Sequence, residues 1–313
     1  MRMLDTLRVQ WLQLHQDGPP VQQSPAVGTL DTRLEILFVY DSEAARHNLE
    51  QQTAGRFTEP EGAFAPRFIE GKGLSYYQMK HCGAQRSNGD ILIFLDSDVV
   101  PEPGWLPALL DAVLDDRIQV VCGNTYIDPR DLLGKVFALG WFFPLRSLRS
   151  GIEAGARCFE NNLAFRADVY RACPFVEIPG TTRNSMRAQS QCLASLGVGS
   201  FKCHDAQVSH PPPRNLGHFL RRALAHGRDV YFQTNHDAGH GSRDGRLGGA
   251  LRGAWQRYTT CIRRILHDYR RVDLSALLIP FALAIMALYY LVFAAGSLAT
   301  HVAPGAMSRQ AQL

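Results

Sequence analysis

The chain has 313 residues, a formal charge of +4 and 46% hydrophobic residues, enough for one large α/β domain or two small ones whose core needs no covalent staples. Lysine and arginine are not gathered into one block, so general nucleic-acid binding gets no support, while phosphate groups as substrates stay open. The cysteines at 82, 122, 158, 173, 192, 203 and 261 are odd in number and form no Cys-x-x-Cys pair, which predicts reduced core residues in a cytosolic compartment and no zinc site.

The opening MRMLDTLRVQWLQLHQ has neither the apolar block nor the small-residue cleavage site of a secretory signal, and none is expected. Met3, Leu4, Leu7, Trp11 and Leu14 recur at spacings of three and four, predicting an amphipathic helix. A polar loop at 16–32 leads into LEILFVYD, a β-rich run ending at Asp41. A helix near 42–54, a strand RFIE at 67–70 and a helix at 75–87 follow. DILIFLD, continuously apolar before Asp96, reads as a buried strand. PGWLPALLDAVLDD reads as a helix and IQVVCGNTY as a further strand. This alternation predicts parallel β–α units around one sheet, with ligands gathering at the carboxyl ends of its strands, where Asp41, Asp96 and Asp98 fall.

Beyond residue 140 the pattern loosens. CFENNLAFRADVYRAC predicts a strand running into a helix, residues 184–196 a helix, and LGHFLRRALAHGRDVYFQT a longer one. HDAGHGSRDGRLGGA, at 236–250, is expected to be a flexible tether. Residues 251–272 mix Trp255, Tyr258, Ile262, Ile265, Leu266 and Tyr269 with arginines at helical spacing, the pattern of a helix lying on an anionic membrane surface or of an ordinary solvated amphipathic helix. From Leu274 to Thr300 no residue carries a formal charge, long enough for a transmembrane helix at 273–300, the other possibility being a buried core helix. A short tail, 301–313, follows. Arg252, Arg257, Arg263, Arg264, Arg270 and Arg271 precede the span and only Arg309 follows it, so the positive-inside rule puts the N-terminal domain in the cytoplasm. The expected organisation is a domain at 1–235, then tether, interfacial helix and single-pass anchor in the inner (plasma) membrane.

Asp96 and Asp98 carry the chemistry. Two apart on extended chain, they would project to one side, and two carboxylates about 6 Å apart at an effective dielectric of about 20 repel by roughly 2 to 3 kcal/mol. A hard divalent cation, Mg²⁺ or Mn²⁺, would relieve that cost; a solvated Asp-Ser turn is the plainer alternative.

The succession LEILFVYDSE, KHCGAQRSNGDILIFLDSDVVPEPGWL, FENNLAFRADVYRACPFVE and HDAQVSHPPPRNLGHFLRRALAHGRDVY resembles the family-two glycosyltransferases over roughly residues 3–235. The resemblance implies an α/β GT-A fold, a Rossmann-like nucleotide-sugar-binding sheet with flanking helices, and a C-terminal membrane anchor is a frequent companion. It implies donor contacts from Asp41 and Asp96, and a metal held by Asp96, Asp98 and His210, the last being otherwise a capping or core histidine. Arg221, Arg222 and Arg228 would meet diphosphate or lipid phosphate unless they form a solvated basic face. Asn162 would border the acceptor pocket or hold a turn.

Two departures accompany the resemblance. No apolar strand precedes the helix at 3–14, so the domain is expected to be N-terminally truncated relative to the family, with a neighbouring strand edge left open. The family's Glu-Asp pair, which supplies the base for inverting transfer, falls on Ser185 and Met186, neither of which takes a proton. Glu177, the nearest carboxylate in sequence, is the candidate base, with an ordinary surface role as its alternative. The expected activity is inverting, metal-dependent transfer of a hexosyl group from a nucleoside-diphosphate sugar to a lipid-linked or polysaccharide hydroxyl, as in cell-envelope polysaccharide assembly. The rivals are a nucleotide-sugar-binding pseudoenzyme or membrane scaffold, and a nucleotidyltransferase using the same paired acids.

Overall fold

The computed structural model describes residues 2–17, 34–54, 66–155, 158–176, 185–237 and 246–309. By its internal contacts the chain divides into two compact units. The first comprises Met1–Thr125, Arg146–Val176 and Met186–His210; the second comprises Tyr126–Leu145, Glu177–Ser185 and Pro211–Leu313. The expected 1–235 domain therefore does not coincide with one unit.

The first unit starts with α1 (Arg2–Asp17), β1 (Leu37–Tyr40), α2 (Glu43–Thr53), β2 (Arg67–Glu70) and α3 (Tyr76–Arg86). Two helix starts are written locally: Ser42 accepts from Ala45 N ahead of α2, and Ser75 and Gln78 form a capping box ahead of α3. Next come β3 (Ile91–Leu95), the short β4 (Val100–Pro101), α4 (Trp105–Leu114) and β5 (Val120–Ile127), whose last two residues lie in the second unit. In the second unit α5 (Leu132–Gly140) follows, capped by Asp131. The first unit resumes with β6 (Ile152–Ala154), β7 (Asn162–Arg166), α6 (Ala167–Ala172), α7 (Ser185–Ser195) and β8 (Phe201–His210).

Strands and helices alternate as expected, but the hydrogen bonding differs. β1 and β2 pair in parallel as a two-stranded sheet, and a second sheet has the order β3-β7-β5-β8-β4, with β6 on β8. β7 is antiparallel to both β3 and β5, so those two share a direction, and β4 and β6 are antiparallel to β8. A continuous apolar run encodes burial on both faces, not direction, which is why the pattern alone suggested parallel units around one sheet. Alternation along β3 serves two cores. Leu92 and Phe94 join Leu163, Phe165, Tyr170 and Phe175 on one face, while Ile91, Ile93 and Leu95 join Trp105, Leu109, Val121, Ala164 and Val208 on the other.

The cysteine expectation needs correction. Cys173, at the end of α6, and Cys192, on α7, form a disulfide with Cα atoms 5.8 Å apart, whereas Cys82, Cys122, Cys158, Cys203 and Cys261 are free. The Gln189 side chain donates to Cys173 O at 3.0 Å, holding α7 against the end of α6 where the two sulfurs meet. A separation of 19 residues matches no spacing motif, so only the packing reveals the pair.

The second unit is helical: α5, α8 (Leu216–Asp237), α9 (Arg246–Asp268), α10 (Ile279–Val302) and α11 (Pro304–Arg309). The two ends of the expected tether are helical, since α8 runs on to Asp237 and α9 begins at Arg246; residues 238–245 lie outside the described residues. The apolar segment Ala276–Val302 has mean hydropathy 2.4, long and apolar enough by composition to cross a membrane. It is not a lone rod. Ring contacts of Phe219 with Tyr289, His226 with Phe293 and Tyr231 with His301 advance together along α8 and α10, so the two helices run parallel, side by side. Glycines allow that approach: a Cβ on Gly227 would stand 1.9 Å from Phe293 O, and one on Gly296 would stand 2.3 Å from Leu224 O. α9 packs on α10 through Tyr258, whose hydroxyl donates to Leu283 O at 3.1 Å.

Candidate active site

β3 ends at Leu95, so Asp96 and Asp98 stand in a turn and not on extended chain. This corrects the picture of two like charges projecting together, because each acid has its own partners. Asp96 is buried. It accepts from Tyr76 Oη at 2.6 and 2.8 Å and from Lys80 Nζ at 2.7 Å, and Lys80 Nζ also donates to Glu160 O at 2.7 Å. Tyr76 and Lys80 are four residues apart on α3, which sets them on one helix face. The charge of Asp96 is thus compensated by a lysine that the sequence reading did not select, although its helical spacing from Tyr76 was visible.

Asp98 is different. Its side chain is 48% exposed, and its Oδ2 lies 3.4 Å from Nε2 of His210, whose side chain is only 2% exposed. The fold makes this neighbourhood through β4, where Val100 pairs with Ser209 in an antiparallel ladder and so brings His210, the last residue of β8, alongside the turn. Neighbouring ligands of an octahedral ion with bonds of about 2.1 Å stand about 3 Å apart, so the spacing of this carboxylate and imidazole fits two adjacent positions around a divalent cation. Among the described residues no group of three or more His, Cys, Asp or Glu side chains is arranged to hold a metal. Asp96, expected as a further ligand, already accepts from Lys80 and Tyr76.

The remaining candidates separate. Asp41 is exposed at the carboxyl end of β1, just before Ser42, on the sheet bonded separately from the one that leads into Asp96. Asn162, expected beside an acceptor pocket or in a turn, is fully buried: it accepts from Trp105 Nε1 at 2.8 Å and donates to Ala206 O at 3.0 Å. It lies inside the sheet beside Gly123, where a Cβ would come within 2.2 Å of the Asn162 amide nitrogen. Its neighbour Asn161 carries the local tie, accepting from Thr125 Oγ1 at 3.0 Å. Arg221, Arg222 and Arg228 belong to the helical unit. Arg221 is exposed, Arg222 lies over the rings of Phe137 and Trp141 at 5.8 and 5.6 Å, and Arg228 is buried against Asp229 at 3.0 Å, so its charge is met within α8. Glu177 lies outside the described residues.

The described residues thus make a mixed α/β core with an acid-bearing turn after a buried strand, and an apolar C-terminal helix. Residues 66–173, about a third of the chain and including Asp96 and Asp98, match the Glycosyl transferase family 2 profile. Asp41 and His210 fall outside it. The chain is 35% identical over 81 residues to polypeptide N-acetylgalactosaminyltransferase 15 of Homo sapiens, 26% of this chain and 12% of that protein. It is 49% identical over 43 residues to a putative polypeptide N-acetylgalactosaminyltransferase 10 of Caenorhabditis briggsae, 14% of this chain and 7% of that one. These matches thus span only a small part of the curated relatives. Among solved structures it is similar to the mannosyltransferase PcManGT from Pyrobaculum calidifontis in complex with GDP-Man and Mn²⁺ (12% identity, TM-score 0.47, 94% of this chain and 99% of that chain). It is also similar to GalNAc-T7 with UDP, GalNAc and Mn²⁺ (12% identity, TM-score 0.42, 64% and 41% of the two chains).

Proposed function

We propose that the chain transfers a hexosyl group, with inversion, from a nucleoside-diphosphate sugar to an acceptor hydroxyl. The observation that carries this reading is the half-exposed Asp98 carboxylate beside the buried His210 ring, in a turn of the segment matched to glycosyl transferase family 2. Asp98 and His210 would hold Mg²⁺ or Mn²⁺, which when bound neutralises charge on the leaving diphosphate. Lys80 and Tyr76 fix Asp96, so the turn keeps its shape when the donor arrives. Asp41, exposed at the end of β1, would contact the nucleotide, and Arg221 is the arginine of its group open to a phosphate.

Glu177 remains the proposed base for the acceptor hydroxyl. The acceptor is proposed to be lipid-linked or a polysaccharide, because α9 and α10 suit a membrane. The chain is proposed to sit in the inner membrane through α10, with the first unit on the cytoplasmic side. Ser185 and Met186, standing where the family has its acid pair, favour a second reading, a nucleotide-sugar binder without turnover.

The test is a thermal-shift panel of UDP-, GDP- and dTDP-sugars with and without Mn²⁺, paired with a sugar-release assay. Mn²⁺-dependent stabilisation by one donor, absent in Asp98→Asn, is expected, and a donor held at a hundred times its Kd should add about 2.7 kcal/mol. No nucleotide-dependent shift in the wild type would sink both readings; a shift without sugar release leaves the binder.

A further inference from the structure

We propose that the exposed flank of α9 is a binding surface for anionic lipid headgroups, with Trp255 seated in the headgroup layer and Arg252 and Arg263 meeting lipid phosphates. This rests on the membrane association proposed above and names the face that makes it.

Helical residues advance by about 100° each. On α9 that puts Ala254, Cys261 and Ile265, exposed by 6, 3 and 0%, on one inward line. Beside it runs a second line, Leu251, Trp255 and Leu266, exposed by 49, 63 and 50%, with the half-buried Ile262 among them. Arg252 and Arg263, both exposed, form the next line round. Between Leu251 and Asp268 the helix carries four arginines and one acid, and that acid, Asp268, lies 3.5 Å from Arg271. The other two arginines lie off this flank: Arg264 donates to Trp141 O and Phe143 O, each at 2.7 Å, and the exposed Arg257 lies on the opposite side of the inward line, 5.7 Å from the Phe293 ring. The exposed flank is therefore apolar along its centre, basic along its edge, and free of carboxylates.

An indole beside aliphatic side chains, rimmed by long cationic ones, matches the layered chemistry of a bilayer surface: acyl boundary, then headgroup, then phosphate. A second copy of α9 does not fit, because stacking this flank on itself would crowd Arg252 and Arg263 of both copies with no acid to compensate them. Each arginine near an anionic leaflet favours partition roughly fivefold.

The full chain is reconstituted into nanodiscs of phosphatidylcholine alone or with phosphatidylglycerol at 7:3, each with bromines at a shallow or a deep acyl position. The Trp255 signal is the difference between wild type and Trp255→Phe. Quenching of that difference, strongest for shallow bromine and in discs with phosphatidylglycerol, and reduced about tenfold or more in apparent lipid preference by Arg252→Gln with Arg263→Gln, is expected. A Trp255 signal that no bromolipid quenches overturns the proposal. So does quenching that ignores phosphatidylglycerol and the arginine pair, or a signal shielded in detergent and rising with protein concentration, which would mark a second copy. Unchanged far-ultraviolet circular dichroism certifies that each variant is folded. Sugar release plays no part in the readout, so failure of the transfer reading and failure of this surface are told apart.

Discussion

Lys80 and Asp96 are 11% and 9% exposed at the side chain, so neither charge has water to fall back on. Removing one partner of such a pair leaves the other uncompensated, at a cost of about 3 to 5 kcal/mol. Lys80→Met should therefore lower stability in urea unfolding by about that amount. The double variant with Asp96→Asn should recover much of the loss, a coupling that independent sites would not show. A second acid gives a test by titration. Arg117 donates to Asp115 from its side chain and its backbone and holds that carboxyl down to about 2. A depressed folded value contributes stability that is present above the unfolded carboxylate range and is lost as pH falls toward 2. Carboxyl NMR should place Asp115 near 2, and Arg117→Ala should return it to the ordinary range. Asp96 and Asp98 were legible as candidates from the apolar run before them. Their division of labour was not, because partner choice depends on where the strand stops, and β3 stops one residue earlier than alternation suggests.

At the level of elements, the apolar runs foretold many of the helices and strands: α3 at 76–86 and β3 at 91–95 sit where the pattern put them. Strand direction was not readable, since β7 is buried on both faces and nothing in NLAFR distinguishes parallel from antiparallel pairing. Nor was the packing of α10, which an apolar composition renders as a uniform rod. The glycine contacts give it a shape. Gly296→Ala must displace α8, because the new methyl would meet the Leu224 carbonyl, and overpacking of this kind costs about 1 to 3 kcal/mol. Earlier proteolysis between α8 and α10, with the family segment 66–173 still resistant, is the expected result. Arg264, one of the arginines whose helical spacing suited either an anionic membrane surface or solvent, instead grips two carbonyls just after α5. Arg264→Lys keeps the charge but not the fork, and should lower the melting temperature in detergent, consistent with a loss of about 1.5 to 3 kcal/mol.

For the whole molecule, compartment is the question that residue patterns answer in two ways. Arginines before α10 favour a cytoplasmic first unit, while a Cys173–Cys192 disulfide is at home in an oxidising space. Cytoplasmic placement predicts that both cysteines are thiols in cells quenched with acid and alkylated at once, and that they close on exposure to air. Finding them already joined in the quenched cells would put the unit on the other side of the membrane. In purified protein, reduction should lower stability by about 3 kcal/mol, the usual scale for a loop of this length. The closed bond also makes the chain a lariat. A protease cutting once anywhere between residues 173 and 192 would leave an oxidised molecule that migrates as a single piece and falls into two fragments only with dithiothreitol, so a nicked preparation can pass for an intact one.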